Sequence, residues 1–241
     1  MHLKQGDPKP EFRSDRLTLI GYKFCPYVDR VKLVLGYHKI DYDLVNISLT
    51  SKPDWFLELY PTGKVPLLLE NGKQLSESDV LMRHIDSVYG SGVLLSHCGE
   101  ELFEKAKEIM QTITGPTYML LSSPKISDDD VAHYWEACSK LNDAIKGPYF
   151  AGHDLSLADL LILPHLQRFE TIVGRINGKD LNDNIGELSG NDELRAKWPK
   201  LTGFLDAMRK KSFVAESIAS CQLIARFVYS RQQGKDDPDI E

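Results

Sequence analysis

The chain has 241 residues, 42% of them hydrophobic, with 29 basic and 35 acidic side chains and a net charge of −6. That length holds one large domain or two of ordinary size, and the apolar content is enough for a packed core. The acidic balance, with no basic run or stripe, speaks against a general affinity for nucleic acid, and no stretch approaches the roughly 20 apolar residues of a membrane span.

Residues 1–15 read as an N-terminal extension rich in proline and charge. A strand is expected over 17–22 and a helix over 26–38, with Val28, Val31, Val34 and Leu35 on one face at helical spacing. The β-rich run Tyr42 to Ile47 completes a βαβ unit, so its two strands should lie parallel. A short helix starts around Ser51 to Phe56, with Pro53 suited to its first turn. The runs Val65 to Glu70 and Lys73 to Ser76 flank Asn71-Gly72, a strong two-residue hairpin signal. A helix from Ser78 to Tyr89 follows, with Val80, Leu81, His84, Ile85 and Val88 read as largely one side. The order βαβ, helix, ββ, α is that of a thioredoxin-like domain, set at 16–90.

Gly90-Ser91-Gly92 opens a linker taken to run over 91–100, and an all-helical domain of four to six helices is expected over 101–230. Its clearest start is Ser156-Leu157-Ala158-Asp159, a capping box with Asp in place of Glu. The segment from Leu157 to Pro164 is apolar nearly all round and should be the buried centre of that domain, with Pro164 bending it or marking its functional end. The charged stretch 231–241 is expected to be a disordered tail. The fold class is therefore α/β followed by all-α.

The chemistry concentrates at Cys25-Pro26, where the first strand feeds the first helix. A thiol at a helix N-terminus faces unpaired N–H groups and the positive end of the dipole, which can lower a pKa of about 8.5 into roughly the 3.5–7.5 range. Three residues on stands Val28 rather than a second cysteine, so a mixed disulfide at Cys25 needs an outside thiol to release it. The alternative is a buried, inert cysteine. Cys98, Cys138 and Cys221 show neither paired metal-ligand spacing nor the density of a disulfide scaffold, and no bound metal is expected. Free thiols and a start without an apolar leader core point to the cytoplasm.

Three further fragments suit a bound tripeptide thiol. A cis Val65-Pro66 bond would present the Val65 backbone to a peptide, although most X-Pro bonds are trans. Glu77-Ser78, at a strand-to-helix turn, could hold an ammonium and a carboxylate, or could be ordinary capping. Lys52 could meet a second carboxylate, or be solvated.

Taken together, Phe24-Cys25-Pro26-Tyr27, Lys52-Pro53-Asp54-Trp55-Phe56, Pro61-Thr62-Gly63-Lys64-Val65-Pro66 and Glu77-Ser78 resemble the omega class of the glutathione transferase superfamily, collinearly over almost the whole first domain. The likeness extends more weakly to Ser156-Leu157-Ala158-Asp159, Arg168 and the N-terminal extension. It implies glutathione as cosubstrate, Cys25 as the nucleophile, and Phe24, Lys52, Val65, Pro66, Glu77 and Ser78 around the tripeptide. It further implies a homodimer, a second-substrate pocket between the domains, thioltransferase and dehydroascorbate reductase activity, and weak conjugating activity. Tyr27, His165, Arg168 and Ile224 are the candidates for that pocket. Ile224 stands where the class carries a tryptophan and His165 where it carries an aromatic after the proline, so the second substrate does not follow from the class. His165 could instead be a packed imidazole. The rival readings are a non-enzymatic relative resembling the intracellular chloride channel proteins and a ligand-binding carrier.

Overall fold

The computed structural model describes residues 1–178, 181, 192–235 and 237–240. The first part holds β1 (Leu17–Gly21), α1 (Pro26–Tyr37), β2 (Tyr42–Asn46), α2 (Asp54–Leu59), β3 (Leu67–Glu70), β4 (Lys73–Ser76) and α3 (Ser78–Gly90). The sheet order is β2-β1-β3-β4, with β1 parallel to β2 and antiparallel to β3. Every residue of β1 is buried, Thr18 included, as befits a central strand covered on both faces, and Leu19 pairs with Leu44 on one side and Leu68 on the other. Asn71 and Gly72 both take positive φ, 48° and 75°, the geometry of the tight hairpin turn that joins β3 to β4. This is the expected thioredoxin-like arrangement.

The second part is helical: α4 (Val93–Ser122), α5 (Asp128–Ala144), α6 (Leu157–Leu166), α7 (Phe169–Ile176), α8 (Asp192–Lys197), α9 (Pro199–Arg209), α10 (Ser212–Ser217) and α11 (Cys221–Gln232). Eight helices among the described residues exceed the four to six expected; α8 and α10 are six residues each, too short for a periodic signal. All ten residues of α6 are buried, and the Asp159 carboxylate reaches back to the Ser156 N–H at 2.7 Å, as the capping-box motif requires. One apolar core runs from Leu19, Val31 and Leu35 in the first part to Leu160 and Leu161 in the second, so α1 and α6 are held face to face.

Four local expectations are corrected. The linker is short: after Ser91 and Gly92, both at positive φ, the helix resumes at Val93, and the interruption falls later, at Gly99 with φ 71°. The cause is the buried Asp86, whose carboxylate accepts from the N–H groups of Leu94 and Leu95 at 3.2 and 2.9 Å and so caps α4 from the end of α3. On α3, Leu81, Met82, Ile85 and Asp86 face inward, leaving Val80 and Val88 more than half exposed. Pro53 is the residue before α2 rather than part of its first turn. The tail is not free: α11 continues to Gln232, the Asp239 carboxylate accepts from the His2 ring at 2.7 Å, and the Ile240 carbonyl accepts from Lys23 Nζ at 2.6 Å. The Met1 ammonium, 3.2 Å from the Asp239 carboxylate, adds a third contact that the tail's composition conceals.

Candidate active site

Cys25 occupies the cap position of α1, with extended φ and ψ of −84° and 117°, and Pro26 opens the first turn. A turn bond from the Cys25 N–H to the Tyr22 carbonyl, 3.0 Å, ends the strand, and the Cys25 carbonyl accepts the first helical bond from Asp29, also 3.0 Å. The thiol is partly exposed, whereas Cys98, Cys138 and Cys221 are buried. It stands where two clefts meet, and both are lined by Cys25 and Tyr27.

The larger cleft, about 620 Å³, is the more polar of the two. Lys52, Val65, Pro66, Glu77 and Ser78 all line it, brought there by the loops that lead into α2 and β3 and by the turn that opens α3. The Val65–Pro66 peptide is cis. Gly63, at φ +61°, lies against Lys52; a Cβ there would come within 3.2 Å of the ammonium. Glu77 holds a positive φ of 68°, an uncommon state for a residue with a Cβ, and it brings α3 into the cleft N-terminus first, with Ser78 and Asp79 at its rim.

The smaller cleft, about 260 Å³, is mostly apolar and is lined by Tyr27, His165, Arg168 and Ile224, as expected, together with Thr117 and Phe227. Phe24 belongs here and not in the polar cleft: its ring stacks on Phe227 with centroids 4.1 Å apart. His165 meets the Tyr27 ring edge-on at 5.4 Å.

A buried charge cluster supports the junction. Arg168 donates to the Phe24 carbonyl at 2.7 Å and to the Pro164 carbonyl, and lies 3.8 Å from the Asp29 carboxylate. Arg30 donates to the Leu161 carbonyl at 2.9 Å and to the Ser78 hydroxyl at 3.3 Å, and its guanidinium lies 4.9 Å from the centre of the Tyr27 ring. Burial lowers the Arg30 pKa to about 10. Arg30, Asp29 and Thr117 were not singled out from the sequence. A charge on an apolar helix face was the available signal for the first two.

The electrostatics correct the sequence reading of Cys25. Desolvation pushes the thiol pKa up, and the Asp29 carboxylate adds to that; the N–H groups of Val28 and Tyr27 and the Arg168 guanidinium act in the opposite sense and do not offset it. Burial likewise raises Asp29, against the pull of Lys32 and Arg168. The other thiols also lie high, Cys138 and Cys221 at about 12.

The chain is similar to known proteins in sequence and in fold. Residues 19–92 match the family model for the glutathione S-transferase N-terminal domain. Pyrimidodiazepine synthase of Drosophila melanogaster is 28% identical over 99% of this chain and 96% of its own length. Glutathione S-transferase omega-1 of Sus scrofa is 29% identical over 83% of this chain and 79% of its own. The crystal structure of glutathione transferase Omega 3C from Trametes versicolor superposes with a TM-score of 0.70 at 22% identity, covering 94% of this chain and 92% of that one, and so shares the fold. Residues 19–92 thus carry a glutathione S-transferase N-terminal domain, and over most of its length the chain is similar to omega-class glutathione transferases. Its resemblance to the omega class, drawn from the Cys-Pro motif and its companions, holds.

Proposed function

We propose that the protein is a glutathione-dependent thiol transferase of the omega type, acting through a mixed disulfide between Cys25 and glutathione. The observation that carries this reading is the position of the Cys25 sulfur: it alone among the four thiols lines the polar cleft. Val28 occupies the position a resolving cysteine would need. The γ-glutamyl end of glutathione pairs with Glu77 and Ser78, the cysteinyl peptide with the Val65 backbone, and the glycyl carboxylate with Lys52.

In the first half-reaction the Cys25 thiolate attacks the glutathionyl sulfur of a mixed disulfide R–S–SG, forming Cys25–S–SG and releasing R–S⁻ into the apolar pocket. In the second, glutathione thiolate attacks Cys25–S–SG, giving oxidised glutathione and the free Cys25 thiolate. Each exchange makes one S–S bond and breaks one. The omega-class resemblance adds dehydroascorbate as an oxidant: the Cys25 thiol and one glutathione together give it two electrons and two protons, yielding ascorbate and Cys25–S–SG, which a second glutathione resolves as above. Covalent capture of the sulfur keeps conjugation weak. The setting proposed is the cytoplasm, where glutathione keeps thiols reduced, and the assembly a homodimer.

Turnover of a glutathionyl mixed disulfide by wild type and Cys25→Ser tests the reading. Wild type is expected to turn over with ping-pong kinetics and the variant to lose at least 99% of kcat, on the order of the loss when a nucleophile is removed. Equal turnover by both would refute it, and no turnover by wild type would favour a carrier or a non-enzymatic relative.

A further inference from the structure

His165 is one of the most deeply buried polar side chains of the protein, 1% exposed, and neither of its ring nitrogens has a hydrogen-bond partner among the described residues. Such a group is expensive to bury, and nearly all are satisfied by protein, water or ligand. Thr117, 4% exposed, shares the condition: its hydroxyl makes no hydrogen bond. Its neighbours on α4, Thr112 and Thr114, instead donate back to the carbonyls of Ile109 and Met110. Both unsatisfied groups line the apolar pocket beside Cys25, one from α6 and the other from α4.

We propose that His165 and Thr117 form an uncharged hydrogen-bonding end to the apolar pocket, which selects second substrates whose flat apolar body carries a neutral hydroxyl, carbonyl or amide. The inference rests on the reading that this pocket receives the group departing from glutathione. An imidazole offers one donor and one acceptor, and a hydroxyl offers both, so together they match a neutral polar group of either kind. The aromatic walls, Phe24, Phe227 and Tyr27, suit a planar body. The charged groups facing the imidazole are Arg30 and Arg168, with Asp29 behind Arg168 and the Cys25 thiol beside them. Burial and the two guanidinium groups hold the imidazole neutral, with its pKa well below the usual range, and the same two positive charges disfavour a cationic substituent.

The test is calorimetric binding of three unreactive thioethers, S-benzylglutathione and its 4-hydroxymethyl and 4-aminomethyl derivatives. Wild type is expected to bind the hydroxymethyl compound about tenfold more tightly than the plain benzyl one, the ratio that one well-made neutral hydrogen bond supports. The aminomethyl compound, a cation at neutral pH, should bind more weakly than either. His165→Phe should bring the hydroxymethyl ratio to about one, whatever it does to absolute affinity, and His165→Asn should keep part of it. Thr117→Val, on another helix, should lower the ratio independently should the histidine variants not fold. A ratio of one in wild type, a ratio unchanged in His165→Phe and Thr117→Val, or preference for the cation would overturn the proposal. Failure of wild type to turn over mixed disulfides while these binding differences persist would sink thiol transfer but not the pocket assignment, and absence of any binding would sink both.

Discussion

The reactivity of Cys25 is set by two opposed local effects, and the weaker is the one visible in a sequence. The N-cap position and Pro26 announce the helix terminus, which favours a thiolate, but burial between two domains does not show in a local motif. Asp29, one turn further on, adds a second raising contribution. For an acid whose pKa is raised, the charged form appears only as pH climbs past the ordinary value. Alkylation of Cys25 by iodoacetamide is therefore expected to keep increasing through pH 8 and 9, with no plateau near pH 7; a plateau at neutral pH, read by peptide mass mapping, would contradict this. Intrinsic nucleophilicity rises with thiol pKa, with a Brønsted slope of about 0.4–0.5, so a high pKa slows exchange at neutral pH less than the thiolate fraction alone suggests. Arg30 was hidden for a related reason: in a helix pattern an arginine reads as solvent-facing, and the carbonyl it serves lies 131 residues away in the chain.

Elements were legible where periodicity and punctuation agreed. The largely apolar α6 and the Asn71-Gly72 turn stood out because each has one physical reading, a buried core helix and a hairpin with two positive φ angles. The inner face of α3 was not, because Val80 and Val88 stand four residues to either side of His84 and compete with the true stripe of Leu81, Met82 and Ile85. At the start of α6, the Asp159 carboxylate accepts from the N–H groups of Phe150 and Ser156 and from the Ser156 hydroxyl, at 2.6 to 2.7 Å. Asp159→Ala strands these donors and is expected to destabilise by about 3 kcal/mol, whereas Ser156→Ala should cost about 1 kcal/mol. Burial raises Asp159 from 3.8 to about 6 despite these bonds. The folded state then holds the proton that the unfolded state releases, so this group's contribution to stability declines as pH rises through the unfolded to the folded pKa and is level above that. Denaturant midpoints of wild type and Asp159→Asn between pH 4 and 7 check the sign: the wild type should lose ground relative to the variant across that interval, and a gain would contradict the assignment.

At the level of the whole molecule, two pieces with separate sequence signatures enclose the thiol between them. The first domain supplies the nucleophile and most of the larger cleft, which α4 completes, and α4, α6 and α11 of the second close the apolar pocket against Phe24 and Tyr27 of the first. The termini join near the same place, since His2 accepts from the Lys23 N–H at 3.2 Å while pairing with Asp239. The outer face of α3 carries Val80, Val88 and Tyr89, respectively 52%, 57% and 42% exposed, an apolar surface that suits the proposed homodimer. Val80→Glu with Val88→Glu is expected to shift sedimentation from dimer to monomer, and an unaltered sedimentation profile would place the contact elsewhere. All of this organisation serves one chemical event, and peptide mass mapping observes it directly. After incubation with oxidised glutathione, one glutathionyl group should be found on Cys25, with Cys98, Cys138 and Cys221 unmodified, and reduced glutathione should remove it. Modification of a different cysteine with Cys25 left free, or an adduct on Cys25 that glutathione does not release, would contradict the account.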